Sequence, residues 1–256
     1  MNLNETTADV GANLEAVRRR IAAACARCGR DPADVRLVAV SKTYAASAVR
    51  EAASCGQRAF GENRVQEAAV KIPQCPGTLE WHLIGHLQSN KAAAAVRLFD
   101  WVHSVDTPKL LRLLDGHAAA AGKRLSVLLE VNVSGEISKS GAAPDAVPAM
   151  LAMAPELQCL EIRGLMTVPP IAEDPEEARP HFRRLRGLRD AWAAEYAVPL
   201  DELSMGMTHD MEVAIEEGAT FVRVGTGIFG ARAYPEKAPP RNPGGQAGQT
   251  PSYLDT

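Results

Sequence analysis

The sequence predicts a single closed (β/α)8 barrel of the TIM type, in the α/β class, with one extra helix ahead of it. Three observations carry this. Apolar strand-like runs alternate with helical segments about eight times. The 256 residues lie close to the ~250 of a typical barrel of this kind. The first run, VRLVAVS (Val35–Ser41), is nearly continuously apolar, as a parallel strand covered on both faces requires.

In chain order, Leu14, Val17, Ile21, Ala24, Cys25 and Cys28 recur at helical spacing and predict the extra helix. Cys25 and Cys28 form a C-x-x-C, but no strand precedes them as in a redox motif and no second ligand pair follows for zinc. Both therefore read as core-facing helix residues. After Val35–Ser41, strands are expected at Arg58–Phe60, Trp81–Ile84, Trp101–Ser104, Leu125–Val133, Leu160–Leu165, Glu202–Met205 and Thr220–Val224. Helices are expected at Ala45–Ala53, Arg64–Lys71, Ser89–Leu98, Pro108–Ala121, Asp145–Met153, Pro175–Tyr196 and His209–Glu217. Asp174 before Pro175 is a helix start signal, and Thr208 reads as the cap of a helix that buries Met211, Ala214 and Ile215 and ends at Gly218. The expected organisation is an N-terminal helix packed on the barrel (1–30), the barrel itself (31–232), and a Pro/Gly-rich tail (233–256) with too little to bury to fold.

Net charge is only -3 and Lys and Arg are scattered, so no basic face awaits a nucleic acid. MNLNETTADV lacks the basic and apolar regions of a leader, and no apolar run approaches the ~18 residues of a spanning helix. With an odd cysteine count of 5, the expectation is a cytoplasmic protein without membrane contact.

FVRVGTGIFGAR (Phe221–Arg232) carries Gly225, Gly227 and Gly230 in G-x-G-x-x-G spacing. A dinucleotide fingerprint needs a following strand and an acidic residue ~20 positions on, and beyond Gly230 the sequence turns Pro-rich with no second strand to complete the unit. In a barrel, however, the loops after strands seven and eight commonly hold phosphate with glycine amides and the start of a short helix. Gly225 and Thr226 stand at that place, and Ser204 ends strand seven; relief of crowding at a barrel corner is the plainer alternative. Lys42 ends strand one and Arg223 interrupts strand eight, and these strands are neighbours once a barrel closes. A lysine among cationic neighbours has its ammonium form disfavoured, which frees the amine for an aldehyde. A reactive amine at one end and an anion cradle at the other suit pyridoxal phosphate.

These residues also resemble a known family. VAVSKT, FGENRVQE (Phe60–Glu67), WHLIGHLQSNK (Trp81–Lys91), HSVDT (His103–Thr107), EVNVSGEISKSG (Glu130–Gly141), IRGLMTVPP (Ile162–Pro170), LSMGMTHDMEVAI (Leu203–Ile215) and VRVGTGIFGAR are similar to the pyridoxal phosphate homeostasis proteins, in order from Val35 to Arg232. The resemblance implies the barrel of alanine racemase, with pyridoxal 5'-phosphate (PLP) held as a Schiff base on Lys42. It further implies Asn63 against the ring, Ser204, Gly225 and Thr226 on the phosphate, and Arg223 at the pyridine nitrogen. Arg64 stands where that family often has tyrosine, and Thr208–His209 replaces a commoner serine-containing pair.

An arginine at the ring nitrogen keeps the ring neutral and a weak electron sink, and a racemase needs a second base that nothing after Arg232 supplies. The expected function is therefore an intracellular PLP carrier or buffer without dedicated catalysis. A weakly active racemase-like enzyme is the alternative, and a nicotinamide oxidoreductase a third reading. The expected partners are PLP and PLP-dependent client enzymes, and the chain is expected as a monomer. Lys139 after strand five reads either as a solvated loop lysine or as a second amine for PLP transfer. His82 and His86 bracket a strand end and should not converge on a metal, and Ser204, His209 and Asp210 lack the elbow of a hydrolase triad.

Overall fold

The computed structural model describes residues 9–136 and 139–230. Eight parallel strands, β1 (Arg36–Val40), β2 (Ala59–Glu62), β3 (Glu80–Leu83), β4 (Trp101–Val105), β5 (Leu125–Glu130), β6 (Leu160–Met166), β7 (Glu202–Met207) and β8 (Phe221–Val224), pair in sequence order, and β8 returns to β1. This is the predicted closed barrel. The helices are α1 (Val10–Cys28), α2 (Ala46–Ser54), α3 (Val65–Lys71), α4 (Ala92–Leu98), α5 (Pro108–Ala121), α6 (Val147–Leu151), α7 (Arg179–Tyr196), α8 (Met211–Glu216) and α9 (Thr226–Phe229).

Alternation along each strand divides the core in two. Outward residues such as Ala39, Leu83, Leu129, Leu165, Leu203 and Val222 pack under the helices in one large apolar layer. Inward, the apolar cluster is small, built on Val38, Trp101, Leu128, Met166 and Phe221. Polar side chains share the interior with it: His82, His103, Ser204 and Arg223 are all buried. At Gly164 the neighbouring strand leaves no room for a side chain, because a Cβ there would meet the Glu202 carbonyl oxygen.

Helix α1 starts on Asp9, whose carboxylate accepts from the Ala12 N–H, and ends on Gly29 at φ 69°. Its buried face runs through Val10, Leu14, Val17, Ile21, Ala24 and Cys25. Polar groups brace the C-terminal end of the barrel: Asn13 Nδ2 donates to the Ile228 carbonyl at 2.9 Å, and Arg20 donates to the Thr208 carbonyl at 2.9 Å. Cys25 is buried, Cys28 is half-buried, and both thiols are free.

Two local expectations change. The fifth strand stops at Glu130 instead of Val133, because Ala142 folds back onto it: the Ala142 N–H donates to the Glu130 carbonyl, and the Asn132 N–H to that of Ala142. Thr208 does not cap α8. Asp210 occupies the cap position and its carboxylate accepts from the Met207 N–H at 2.6 Å, pinning the turn from the strand side. The Pro/Gly-rich tail, 233–256, lies outside the described residues. Among the described residues no helix is long and apolar enough to cross a membrane.

Candidate functional site

The C-terminal mouth of the barrel is organised where β1 meets β8. Ala39 pairs with Val224, so the next residues, Val40 and Gly225, stand side by side. A Cβ on Gly225 would come within 3.3 Å of the Val40 carbonyl oxygen, and glycine lets the turn lie against the strand end. Lys42 follows Val40 by two residues, half-buried at the rim. Tyr44 then ties its loop to the opposite turn: its hydroxyl donates to the Gly230 carbonyl at 2.7 Å, and its ring lies 4.9 Å from that of Phe229. The lysine loop and the glycine turn are one packed unit.

A buried ion pair supports that loop from below. Lys71 on α3 lies 2.7 Å from Glu62, and both side chains are almost fully enclosed. Lys71 Nζ also donates to the Ser41 carbonyl at 2.7 Å and to Glu67 at 2.9 Å, while Glu67 accepts from the Thr43 N–H at 2.5 Å. The neighbours of Lys42 on both sides are thus fixed by one cation and its two carboxylates. Thr43 sits at φ 70°, a costly backbone for a β-branched residue, and the Glu67 contact holds it there.

Arg223 points into the barrel, donating to the Thr167 carbonyl at 2.9 Å and to Ser204 Oγ at 2.6 Å. Burial pushes its guanidinium down to about 10, with Asp210 and Glu130 opposing the shift, so it stays a cation at neutral pH. Ser204 is thus brought to Arg223, and it pairs with Phe221, four residues before Gly225. The hydroxyl beside the turn belongs to Thr208, 3.4 Å from that of Thr226. From the Ser204–Phe221 pair to the Met207–Arg223 pair three residues of β7 span two of β8, a bulge between Ser204 and the strand end.

Asn63 follows β2, with a buried Oδ1 that has no hydrogen-bond partner, and it opens on a cavity of about 520 Å³ shared with Arg64, Gly85, His86 and Lys91. Glu130 at the end of β5 is a site residue that sequence reasoning missed; its Oε2 is also buried without a partner. Burial pushes its carboxyl up to about 7, Asp106 adds to the rise and Arg223 opposes it. The folded value lies above the ordinary value of 4.5, so the folded state holds an extra proton between those pH values, and stability falls as pH rises through about 7. Glu130→Gln is accordingly expected to raise stability by about 1–3 kcal/mol at pH 8.5 and to change it little at pH 4.5. Denaturant titrations at both pH values check this.

Other groups stay apart. His82 is buried inside the barrel, while His86 is exposed beside Asp106. Among the described residues no group of three or more His, Cys, Asp or Glu side chains is arranged to hold a metal. His209 Nε2 meets the Glu173 carbonyl at 2.8 Å, so Ser204, His209 and Asp210 form no relay. Lys139 is half-buried in the loop after β5, its N–H on the Glu136 carbonyl. The polar groups at the mouth include the Lys42 amine, a buried guanidinium, two threonine hydroxyls, a glycine turn and two buried oxygens without a partner. That set fits an aromatic ligand bearing an aldehyde and a phosphate.

The model of the family described as alanine racemase, N-terminal domain, matches residues 12–233. The chain is 45% identical over 222 residues to the pyridoxal phosphate homeostasis protein of Aquifex aeolicus, covering 86% of this chain and 97% of that one. It is 46% identical over 226 residues to the protein of the same name from Pseudomonas aeruginosa, covering 88% and 96%. Among solved structures, PipY of Synechococcus elongatus with PLP bound superposes with a TM-score of 0.76 at 39% identity, covering 86% of this chain and all of that one. An alanine racemase of Clostridium difficile, 14% identical, superposes with a TM-score of 0.69 over 88% of this chain and 57% of its own, a likeness of fold.

Proposed function

Since the chain belongs to the pyridoxal phosphate homeostasis protein family, with the barrel of the alanine racemase N-terminal domain, we propose that it binds pyridoxal 5'-phosphate at the barrel mouth and acts as an intracellular carrier or buffer of it. The observation that carries this is the packing of the Lys42 loop against the Gly225 turn, with Arg223 buried between strand and mouth.

PLP supplies, when bound, an aldehyde that condenses with amines and a ring that withdraws electrons. Lys42 provides the amine that retains the aldehyde. The Gly225 and Thr226 amides and the Thr226 hydroxyl hold the phosphate, with Thr208 beside them, and Asn63 lies against the ring. Arg223 donates a hydrogen bond toward the ring nitrogen without releasing a proton, because its guanidinium stays charged at neutral pH. Ser204 serves Arg223 in this reading. A ring kept neutral withdraws electrons weakly, which favours storage over carbanion chemistry. PLP-dependent apoenzymes are the proposed recipients, residues 31–232 the PLP-binding unit, and the cytoplasmic monomer the proposed working form.

Loaded protein is expected to reactivate a PLP-dependent apoenzyme while racemising amino acids at no sustained rate. Sustained turnover of an amino acid by the parent, lost in Lys42→Ala, would overturn the carrier reading in favour of a racemase-like enzyme.

A further inference from the structure

The polar side chains of the barrel interior form one unbroken line. Glu80 Oε1 lies 2.6 Å from His82 Nε2, His82 Nδ1 lies 2.9 Å from His103 Nε2, His103 Nδ1 lies 2.9 Å from Ser204 Oγ, and Arg223 Nη1 donates to the same Oγ at 2.6 Å. The members come from β3, β4, β7 and β8. His82, His103 and Ser204 are fully buried, whereas Glu80, at the first residue of β3, has a side chain 42% exposed at the opposite end of the barrel. Aromatic walls keep the line dry: Trp101 stacks on His82 with centroids 5.8 Å apart, and Phe221 lies 5.5 and 5.2 Å from the His82 and His103 rings.

With both imidazoles neutral, one arrangement of protons satisfies every link. Arginine only donates, so Ser204 Oγ accepts from it. A carboxylate only accepts, so His82 Nε2 carries the proton given to Glu80. His82 Nδ1 is then bare and takes the proton of His103 Nε2. His103 Nδ1 is bare in turn and takes the Ser204 hydroxyl proton. Every donor points from Arg223 toward Glu80. Burial holds both imidazoles below the ordinary histidine value. At His82 the Glu80 carboxylate opposes that shift, joined by Asp100, while Arg36 of β1 adds to it. At His103 the neighbouring His82, Arg223 and Arg36 all add to it. A further proton on His82 would force His103 to its other tautomer and leave the Ser204 hydroxyl proton without its acceptor, beside Arg223.

We propose that Glu80, His82, His103 and Ser204 are positioning residues for Arg223: a one-way hydrogen-bond relay that fixes the guanidinium facing the cofactor ring and sets its buried charge against a carboxylate on the far face of the barrel. The relay rests on the reading that Arg223 meets the PLP ring. Its consequence is that Glu80, at the wrong end of the barrel to touch the ligand, tunes ligand binding.

Two measurements test this. On ligand-free protein labelled with 15N histidine, long-range proton–nitrogen correlation is expected to show His82 and His103 both protonated on Nε2 and bare on Nδ1. Glu80→Gln should release both tautomers, Ser204→Ala should keep both protons on Nε2 but shift the His103 Nδ1 resonance because its donor is gone, and Ser204→Thr should restore the parent pattern. In the second, PLP titrations followed by visible absorption across pH are expected to show Kd raised about tenfold in Ser204→Ala and about threefold in Glu80→Gln, each with a displaced pH midpoint. A parent protein with a proton on either Nδ1 would overturn the relay, as would parental Kd and pH profile in both variants. A parent that binds no PLP sinks the functional reading and the cofactor half of this proposal, while the tautomers still decide whether the relay exists.

Discussion

Lys42→Ala is expected to abolish covalent retention of PLP while leaving the barrel folded. Lys42 lies beyond the last residue of β1, half-buried at the rim and outside both apolar clusters, so its truncation opens no cavity in the core, and stability should change by about 1 kcal/mol. The glycine turn and Thr208 stay in place because Tyr44, Asn13 and Arg20 brace them, and Arg223 is held by the Thr167 carbonyl and Ser204. What is lost is the amine proposed to bond the aldehyde. An increase in Kd of about 100-fold is expected, equivalent to about 2.7 kcal/mol, together with loss of the visible band after dialysis. Absorption spectra and unfolding curves of the two proteins, measured together, separate a lost site from a lost fold.

Lys71→Met is expected to be the most damaging single change for stability. Glu62 is fully buried, and burial already pushes its carboxyl above the ordinary value, with the hydrogen bonds from Lys71 and Ser41 opposing the rise. Removing the ammonium leaves a buried carboxylate without its counter-charge, at a cost of about 3–5 kcal/mol near neutral pH. With its folded value pushed still further above the unfolded one, Glu62 takes up a proton in the variant. The deficit is therefore full at alkaline pH and shrinks as pH falls toward the ordinary carboxylate value. The double variant Glu62→Gln/Lys71→Met should recover most of the loss, since no charge is then stranded. The single variant should also bind PLP more weakly, because Lys71 holds the Ser41 carbonyl and Glu67 holds the Thr43 N–H, one on each side of Lys42. Urea titrations at three pH values and a PLP titration check both effects.

Much of the fold was legible because each parallel strand is short, apolar and followed by a helix, a pattern that composition and spacing express directly. The positions of Lys42, Arg223 and Gly225 were legible for the same reason: each breaks an apolar run at a strand end, and closure of the barrel makes strands one and eight neighbours. Ser204 was harder. Its surroundings depended on where β7 ends: the strand runs on to Met207 with a bulge after Ser204, and the threonine hydroxyl 3.4 Å from that of Thr226 is Thr208. Thr208 as a helix cap failed because Asp210, two residues on, turns its carboxylate back to the Met207 N–H. Glu130 was passed over inside an apolar run, although an acid at the end of a barrel strand is itself a signal. The interior relay left a trace of the same kind: Glu80 and His82 on β3, and Trp101 and His103 on β4, occupy alternate positions. Alternation shows that they share a face, but only the closed barrel shows that those faces meet Ser204 and Arg223 in one line.

The central claim is that Lys42 and the Gly225 turn grip two ends of one molecule of PLP. Borohydride reduction of the loaded protein, followed by peptide mapping, tests it most directly. The account predicts one equivalent of pyridoxyl label on the peptide containing Lys42 and none there when Lys42 is alanine. Label spread over surface lysines, or seated on a lysine remote from the β1–β8 junction, would contradict it.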